Sequence, residues 1–405
     1  MIYTKKLLII VLLMVGISAT QAQKLSVNQA KNAANQEKPD YNLAEKLIKE
    51  ALLNNETKND VTTWFTAGYI YNKKHEEERN KKLLKQNCNQ ELMYESFYSA
   101  YNYWTKCIVL DKQPDAKGVV KPKYTSEILT KIKKNIGALI DGGQYYYGLK
   151  NFELGFQYFD AYNKAVTSND LQSLNLGSDP NVQKVPYYAS LCAINLDNKI
   201  AIQALEFAKK TDFERYRVYS FLSKAYKKDG QEEKNINLLK DGISLYPDSI
   251  DFINEFTDNR ILQKDFNNAI KFIQDAIAKK PTCGLYIALG RLYQESGKPE
   301  DLIKSTFQDA IKINPKADQA YYYLGLIIFN KAVEMNDKTN AIKDVKLYNA
   351  EIKKTLSTYG EALPYFKRAS EIRIKVEYLI PLRTIYDRLR MVEDRNAIDN
   401  MIKKL

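Results

Sequence analysis

The stretch PTCGLYIALGRLYQESGKPEDLIKSTFQDAIKINP, residues 281–315, begins and ends with a proline and contains one complete structural repeat. A third proline extends the series at a constant step, since 281 − 247 = 34 and 315 − 281 = 34. Proline cannot continue the hydrogen-bond ladder of a helix, so we expect Pro247, Pro281 and Pro315 to follow the ends of helices. A 34-residue period predicts pairs of antiparallel helices that bury their apolar faces by stacking on neighbouring pairs.

Small and large apolar residues follow a fixed order within this repeat. Tyr286, Gly290 and Tyr293 fall on the predicted first helix, Gly297 falls at the turn, and Ala310 falls on the predicted second helix. Small residues let two helices approach closely, and large ones fill the space between adjacent pairs. The same order returns in other copies, and it predicts these packing residues: Trp64, Gly68, Tyr71, Gly143, Tyr219, Tyr226, Tyr286, Gly290, Tyr293, Ala310, Pro315, Tyr321, Gly325 and Ala369.

These residues resemble the signature of the tetratricopeptide repeat (TPR), in which a Leu-Gly-Tyr pattern on the first helix precedes Ala and Pro on the second. An array of HEAT-like or Sel1-like helical repeats is the alternative. The TPR resemblance implies an all-α, TPR-like helical solenoid of about eight or nine antiparallel helix pairs, two with long inserts, covering nearly all of the mature chain.

Two repeats are longer than the others. The step from first to second helix is 9 residues from Tyr226 to Asn235, but it is 29 over 71–100 and 34 over 328–362. About 20 and 25 extra residues are therefore predicted between the two helices of these pairs. The first insert is mostly charged and contains the only histidine of the chain, His75, which we predict to be a solvated surface residue.

The second insert has an apolar stripe at helical spacing: Ile342, Val345, Ile352 and Leu356. We expect this stripe to fold back on an extended first helix near Ala332, or else to meet another chain.

The N-terminus has the pattern of a secretory signal peptide. Lys5 and Lys6 precede the uncharged apolar run of residues 7–19, and a small residue, Ala22, ends the segment. Cleavage after Ala22 is the predicted outcome, and an uncleaved membrane anchor is the alternative. The region 111–124 and the long inserts resemble exported TPR proteins of Bacteroidetes-type bacteria, which implies residence in the periplasm or secretion.

The predicted domain organisation has three parts. The signal peptide is 1–22, N-terminal TPR-like helical repeats occupy 23–175, and C-terminal TPR repeats with an end cap occupy 176–405. The boundary is drawn in the segment 168–185, whose Asn, Gly, Ser and Pro residues interrupt the helical pattern.

Catalytic and metal-binding patterns are not found in the sequence. With one histidine there is no Ser-His-Asp set, and His75-Glu-Glu-Glu-Arg does not match the His-Glu-x-x-His pattern. The four cysteines contain no Cys-x-x-Cys motif, and Cys88 with Cys107 is the only conceivable local disulfide. We therefore predict no enzymatic activity, no cofactor and no metal. The net charge of +12 is not taken to indicate a nucleic-acid partner, because the protein is predicted to be exported.

Binding of a protein or peptide is the function that the sequence favours. In TPR arrays, the first-helix residues that alternate with packing residues line a groove, and bases in such a groove suit an acidic peptide or a carboxylate. We predict a non-enzymatic periplasmic scaffold or adaptor; the alternatives are a structural subunit of a cell-envelope assembly, docked through the helical inserts, and an envelope enzyme. The candidate groove residues are Arg217, Ser220, Lys224, Lys227, Asn254, Arg291, Gln294 and Tyr322.

Overall fold

The computed structural model describes residues 25–405, and every regular element in this range is a helix. The all-α, TPR-like architecture predicted from the repeats is confirmed for these residues. The predicted signal peptide, 1–22, lies outside them.

The helices are organised in two compact units, and the boundary between the units lies between Asp229 and Gly230. Ten α-helices belong to the described part of the first unit: α1 (25–34), α2 (Tyr41–Leu53), α3 (Val61–Leu83), α4 (Gln90–Asp111), α5 (Thr125–Asn135), α6 (Gly137–Gly148), α7 (Phe152–Thr167), α8 (Asn181–Ala193), α9 (Asn198–Ala208) and α10 (Arg215–Lys228).

The second unit contains nine α-helices: α11 (Glu232–Leu245), α12 (Ile250–Leu262), α13 (Phe266–Lys279), α14 (Cys283–Glu295), α15 (Glu300–Ile313), α16 (Asp318–Asn340), α17 (Val345–Ile372), α18 (Val376–Arg388) and α19 (Val392–Ile402). Successive helices pack as pairs within each unit. In the first unit the pairs are α1/α2, α3/α4, α6/α7 and α8/α9; in the second they are α12/α13, α14/α15, α16/α17 and α18/α19.

The repeat prolines stand where the 34-residue step predicts them. The helices α11, α13 and α15 each end two residues before Pro247, Pro281 or Pro315. A short extended connection follows, and the next first helix begins within a few residues. Because a proline at this position has no amide to donate, it ends α11, α13 and α15 at the same place relative to the repeat.

Glycines on first helices are covered by aromatic rings from second helices. A Cβ atom added to Gly290 would lie 2.6 Å from the ring of Phe307, closer than van der Waals contact permits. The ring occupies the space that a side chain would need, which lets α14 and α15 approach closely. In the same way, the ring of Trp104 packs over Gly68, that of Phe159 over Gly143 and that of Phe366 over Gly325.

The inserts lengthen both helices of a pair instead of forming loops. The helices α3 and α4 have 23 and 22 residues, and α16 and α17 have 23 and 28, against 13 or 14 in α12 to α15. Each long pair is an antiparallel hairpin. We name these two pairs the first hairpin (α3/α4) and the second hairpin (α16/α17). The helix α17 continues without interruption through Pro364.

The second insert folds back on the extended first helix, as expected, but its contact seam is polar. The hydroxyl of Thr339 lies 3.3 Å from that of Thr355, and Thr358 donates a hydrogen bond to the sulfur of Met335. The predicted apolar stripe is only partly used: Val345 is 71% exposed, while the buried residues of this part of α17 are threonines. Helical spacing alone could not indicate which of two adjacent faces would be covered.

The segment in which the sequence placed a domain boundary is packed into the first unit. It contains two short 3₁₀ helices, Asn169–Leu174 and Leu176–Ser178. The side chain of Leu171 is buried, and the Nζ atom of Lys112 lies 2.9 Å from the carboxylate of Asp170. The 175/176 boundary predicted from the sequence therefore lies inside a compact unit, and the change of unit occurs after α10.

Candidate protein-binding surface

In the first unit, α10 presents the basic residues that the sequence indicated. Arg217, Lys224 and Lys227 are exposed on this helix, and Ser220 is half-buried between them. Their spacing places them on one face. The Nε atom of Arg217 lies 3.4 Å from the carboxylate of Glu214, whereas Lys224 has no ion pair or hydrogen bond with the described residues. The ammonium group of Lys224 is thus available to an outside carboxylate.

In the second unit, a row of side chains crosses three successive first helices. The guanidinium of Arg291 on α14 donates a hydrogen bond of 2.6 Å to Asp258 on α12, and it lies 5.9 Å from the ring centroid of Tyr323 on α16. The predicted residues Asn254 and Gln294 are half-buried on α12 and α14. The structure thus connects Arg291 with two residues, Asp258 and Tyr323, that the sequence analysis did not name.

Tyr322 packs into the core of the second unit instead of lining the surface with Arg291. Its ring centroid is 4.9 Å from that of Tyr378 and 5.9 Å from that of Phe366. Burial raises the pKa of this tyrosine. The neighbouring Tyr323 takes the position facing Arg291, and it stacks on Phe307 at 5.2 Å. The sequence offered adjacent tyrosines, and only the crossing of α16 over α15 decides which one faces Arg291.

The two sets of surface residues differ in charge. On α10 three cations stand together, and the central one, Lys224, has no ion pair with a described residue. In the second unit Arg291 is already neutralised by Asp258, and its side chain is 21% exposed. The carbonyl oxygen of the Gln294 side chain is buried and has no hydrogen-bond partner among the described residues. A basic surface is therefore found on α10, while the second unit has a mixed polar and aromatic row.

His75 is buried, which corrects its predicted place on the solvated surface. It is 1% exposed, because α4 folds along α3 and covers it with Met93 and Phe97. The Nδ1 atom lies 2.8 Å from the carbonyl oxygen of Met93, so Nδ1 carries the proton and donates it. Burial lowers the pKa of this imidazole, with the Arg79 guanidinium adding to the effect. The ring is thus neutral at pH 7.

The cysteines form no disulfide within the described residues. Cys107 is buried on α4, and burial raises the pKa of its thiol to about 12. Cys88 lies at the turn between α3 and α4. Along the described chain there is also no cluster of three or more His, Cys, Asp or Glu side chains that could hold a metal ion. Among the helices of residues 25–405, none is both long and apolar enough to span a membrane.

No protein-family model matches the sequence, and no curated protein matches it either. Among solved structures, the chain is similar to a TPR repeats protein from Bacteroides fragilis, with 17% identity over 66% of this chain and 98% of that chain and a TM-score of 0.32. It is similar to the C-terminal part of a TPR repeat-containing protein from Cytophaga hutchinsonii, with 14% identity, coverage of 63% and 91%, and a TM-score of 0.32. YrrB, described as a TPR protein with an unusual peptide-binding site, matches with 14% identity, coverage of 49% and 96%, and a TM-score of 0.30.

At these identities the likeness concerns the fold alone. The repeat step of 34 residues, the prolines after the second helices and the glycines covered by aromatic rings are features of the chain itself. By these features, the described residues have the fold of a tetratricopeptide repeat protein.

Proposed function

We propose that the protein is a non-enzymatic binding scaffold. It holds an acidic segment of a partner protein on the face of α10 that carries Arg217, Lys224 and Lys227. The exposed cations of α10 are the observation that carries this proposal. Lys224 adds the strongest support, because its ammonium group has no carboxylate partner among the described residues. Charge complementarity of this kind favours association and orients an acidic partner.

A selected peptide tests the proposal directly. Peptides that bind the full mature chain are selected from a random display library, and their affinities are measured at two salt concentrations. We expect acidic sequences whose binding weakens about tenfold or more on Lys224→Glu and weakens further at high salt. Lys106→Glu, at an exposed position of α4, changes the net charge equally and is the matched control. Peptides that are not acidic, or that bind both variants equally, would contradict the proposal.

Arg291 has a different expected role. Because it already pairs with Asp258 and faces Tyr323, its substitution by Gln removes contacts between three first helices as well as a surface charge. We propose that the row Asp258–Arg291–Tyr323 holds an extended partner segment mainly by its shape and by the aromatic ring. Arg291→Gln should therefore weaken the binding of a partner to the second unit, and this loss of affinity should depend little on salt concentration, in contrast to the loss caused by Lys224→Glu.

The alternative proposal is a structural subunit of a cell-envelope assembly, docked through the hairpins. The hairpin ends favour this proposal, because Leu83 and Leu84 of the first and Val345 and Leu347 of the second are more than half exposed. Large exposed apolar residues at a projecting end are suited to contact with another protein.

Location in the periplasm, or secretion, is proposed from the signal-peptide pattern of residues 1–22. The intact mass of the protein purified from the cell envelope should correspond to a chain that begins at Gln23. A full-length chain recovered from the cytoplasm would contradict export.

A further inference from the structure

We propose that a cleft beside the first hairpin binds a small hydroxylated anion. The cleft has a volume of about 470 Å³ and lies entirely in the first unit, between α3, the start of α4, and the junction of α5 and α6. This volume falls in the range of small-molecule sites. The site is separate from the α10 face and does not depend on the proposed peptide binding.

Two buried side chains that line the cleft have an acceptor atom without a partner in the described structure. The Nε2 atom of His75 is buried and unbonded, and so is the Oδ1 atom of Asn135. Both residues are more than nine-tenths buried. A buried polar atom without a hydrogen bond is unfavourable for the folded protein, so each of these atoms favours a ligand that supplies a donor.

The bonds made by the other ends of these side chains identify both free atoms as acceptors. His75 donates from Nδ1 to the carbonyl of Met93, which leaves Nε2 of the neutral ring with a lone pair. Asn135 donates from Nδ2 to the side-chain oxygen of Asn72 at 3.2 Å, which leaves Oδ1 to accept. A complementary ligand therefore presents hydroxyl or amine hydrogens to the floor of the cleft.

The charges around the cleft favour an anion. Four cations line it, Arg79, Lys82, Lys85 and Lys134, against a single carboxylate, Asp141. Arg79 is half-buried and makes no ion pair with any described residue, so its planar guanidinium can bind a carboxylate or phosphate.

Two further cations of the cleft already have partners in the described structure. The Nζ atom of Lys82 lies 3.3 Å from the hydroxyl of Tyr94, and Lys134 forms an ion pair of 3.6 Å with Glu76, so Arg79 is the main anion-binding group. A ligand with hydroxyl donors at one end and a negative charge at the other matches both the floor and the rim. A sugar acid or a sugar phosphate has this chemistry.

Calorimetric titration of the full mature chain with matched probes tests the proposal. Glucuronate, gluconate and glycerol 3-phosphate carry both hydroxyls and charge; glucose carries only hydroxyls, and propionate and inorganic phosphate lack the hydroxylated carbon chain. We expect at least one of the first three to bind saturably, near one per chain. It should bind at least tenfold more tightly than the probe that lacks either its hydroxyls or its charge.

Variants locate the binding. Arg79→Gln should weaken it about tenfold, and Asn135→Leu about three- to tenfold. His75→Gln retains one donor and one acceptor and should bind more tightly than His75→Phe, which retains neither. Circular dichroism and thermal midpoints show whether the buried variants fold, and Lys106→Gln controls for lost positive charge.

Three results would overturn the proposal: no saturable binding by any hydroxylated anion, equal binding of propionate and glucuronate, or binding that Arg79→Gln leaves unchanged. The first result would leave the cleft as a solvent pocket, and the second would reduce it to a nonspecific cationic surface.

Discussion

Single glycines determine how closely the helices of a pair approach. Gly68, Gly143, Gly290 and Gly325 were predicted as packing residues, and each faces an aromatic ring within 3.0 Å of a built Cβ. Their positions were predictable because the repeat places them at a fixed step. The identity of the facing ring follows from the same step on the second helix, as with Phe307 opposite Gly290.

The pair Gly290→Ala and Gly360→Ala separates packing from helix propensity. Both glycines lie inside helices of the second unit, but a Cβ at Gly360 would meet nothing within 4 Å. Gly290→Ala should lower the free energy of unfolding by roughly 1–3 kcal/mol, because the added methyl group displaces Phe307. Gly360→Ala should raise it by about 0.5–1 kcal/mol, because alanine is the better helix former. Urea unfolding measures the free energy of unfolding of both variants. An equal change in the two variants would contradict the packing role of Gly290.

His75 shows where sequence reasoning at the residue scale fails. Its neighbours Glu76, Glu77 and Arg79 are charged, and a local pattern of this kind is typical of solvent-exposed segments. The burial of His75 arises from the return of α4, which places Met93 against the ring. That contact joins residues 18 apart across a hairpin, and no local pattern around position 75 contains it.

Stability should decrease through His75 as the pH falls. The folded protein holds the pKa of His75 below its ordinary value of 6.5, mainly by burial and partly through Arg79, while the bond to Met93 and the charge of Glu76 act in the opposite sense. The unfolded chain therefore takes up a proton first, and stability is lost from about pH 6.5 down to the folded pKa. His75→Gln should show a smaller loss between about pH 7.5 and 5.5 in urea unfolding. As this is the only histidine, NMR can follow it alone; a midpoint at or above its ordinary pKa would refute the shift.

At the scale of elements, the lengths of the two inserts could be predicted from the sequence, but their helical conformation is seen only in the structure. The extra residues extend both helices, so that each long pair is a hairpin. The seam of the second hairpin contains Thr339, Thr355 and Thr358, whose hydroxyls also bond to carbonyls four residues earlier in their own helices. Threonines of this kind leave no apolar periodicity, so the sequence pattern predicted burial of Val345, which is exposed.

Shortening the second hairpin tests whether its outer part serves stability or binding. Residues 337–356 are replaced by a short turn rich in Gly and Asn. The contact of Phe329 with Tyr359 and that of Gly325 with Phe366 lie closer to the repeat core and are retained. We expect a cooperatively folded protein with a loss of about 1–3 kcal/mol, because few large apolar side chains leave the interior.

The same variant distinguishes the two proposed functions. If the α10 face binds the partner, affinity for the selected peptide should be unchanged in the shortened protein. Normal stability together with loss of a specific complex would instead favour the envelope-assembly proposal. An equal shortening of the first hairpin between α3 and α4 tests the other proposed docking end in the same way, because Leu83 and Leu84 belong to the same envelope-assembly proposal.

At the scale of the whole chain, the repeat pattern predicted the fold better than the site. The repeat shows the same packing pattern many times, so a copy that departs from the pattern does not change the predicted fold. A binding surface has no such redundancy. Lys224 could be placed on its face from spacing alone, whereas the pairing of Arg291 with Asp258 depends on the distance between two first helices, 33 residues apart in sequence.

Site-specific photo-crosslinking in the full mature chain should identify the surface that meets the partner. A crosslinking amino acid is placed at Lys228, one turn beyond Lys224 on α10, so that Lys224 itself is retained. It is placed alternatively at Leu84 at the end of the first hairpin or at Leu347 on the second, and Lys106 on α4 is the control position. Leu84 and Leu347 are 69% and 51% exposed, so each probe is accessible without disturbing a core. We expect a discrete crosslinked product at position 228 alone, and its yield should fall at high salt because a charged surface is screened. Products at both hairpin positions and none at position 228 would replace the scaffold proposal with the envelope-assembly proposal. The control position matters because a basic chain crosslinks acidic proteins nonspecifically, and a product at Lys106 of equal yield would remove the specificity on which either proposal depends.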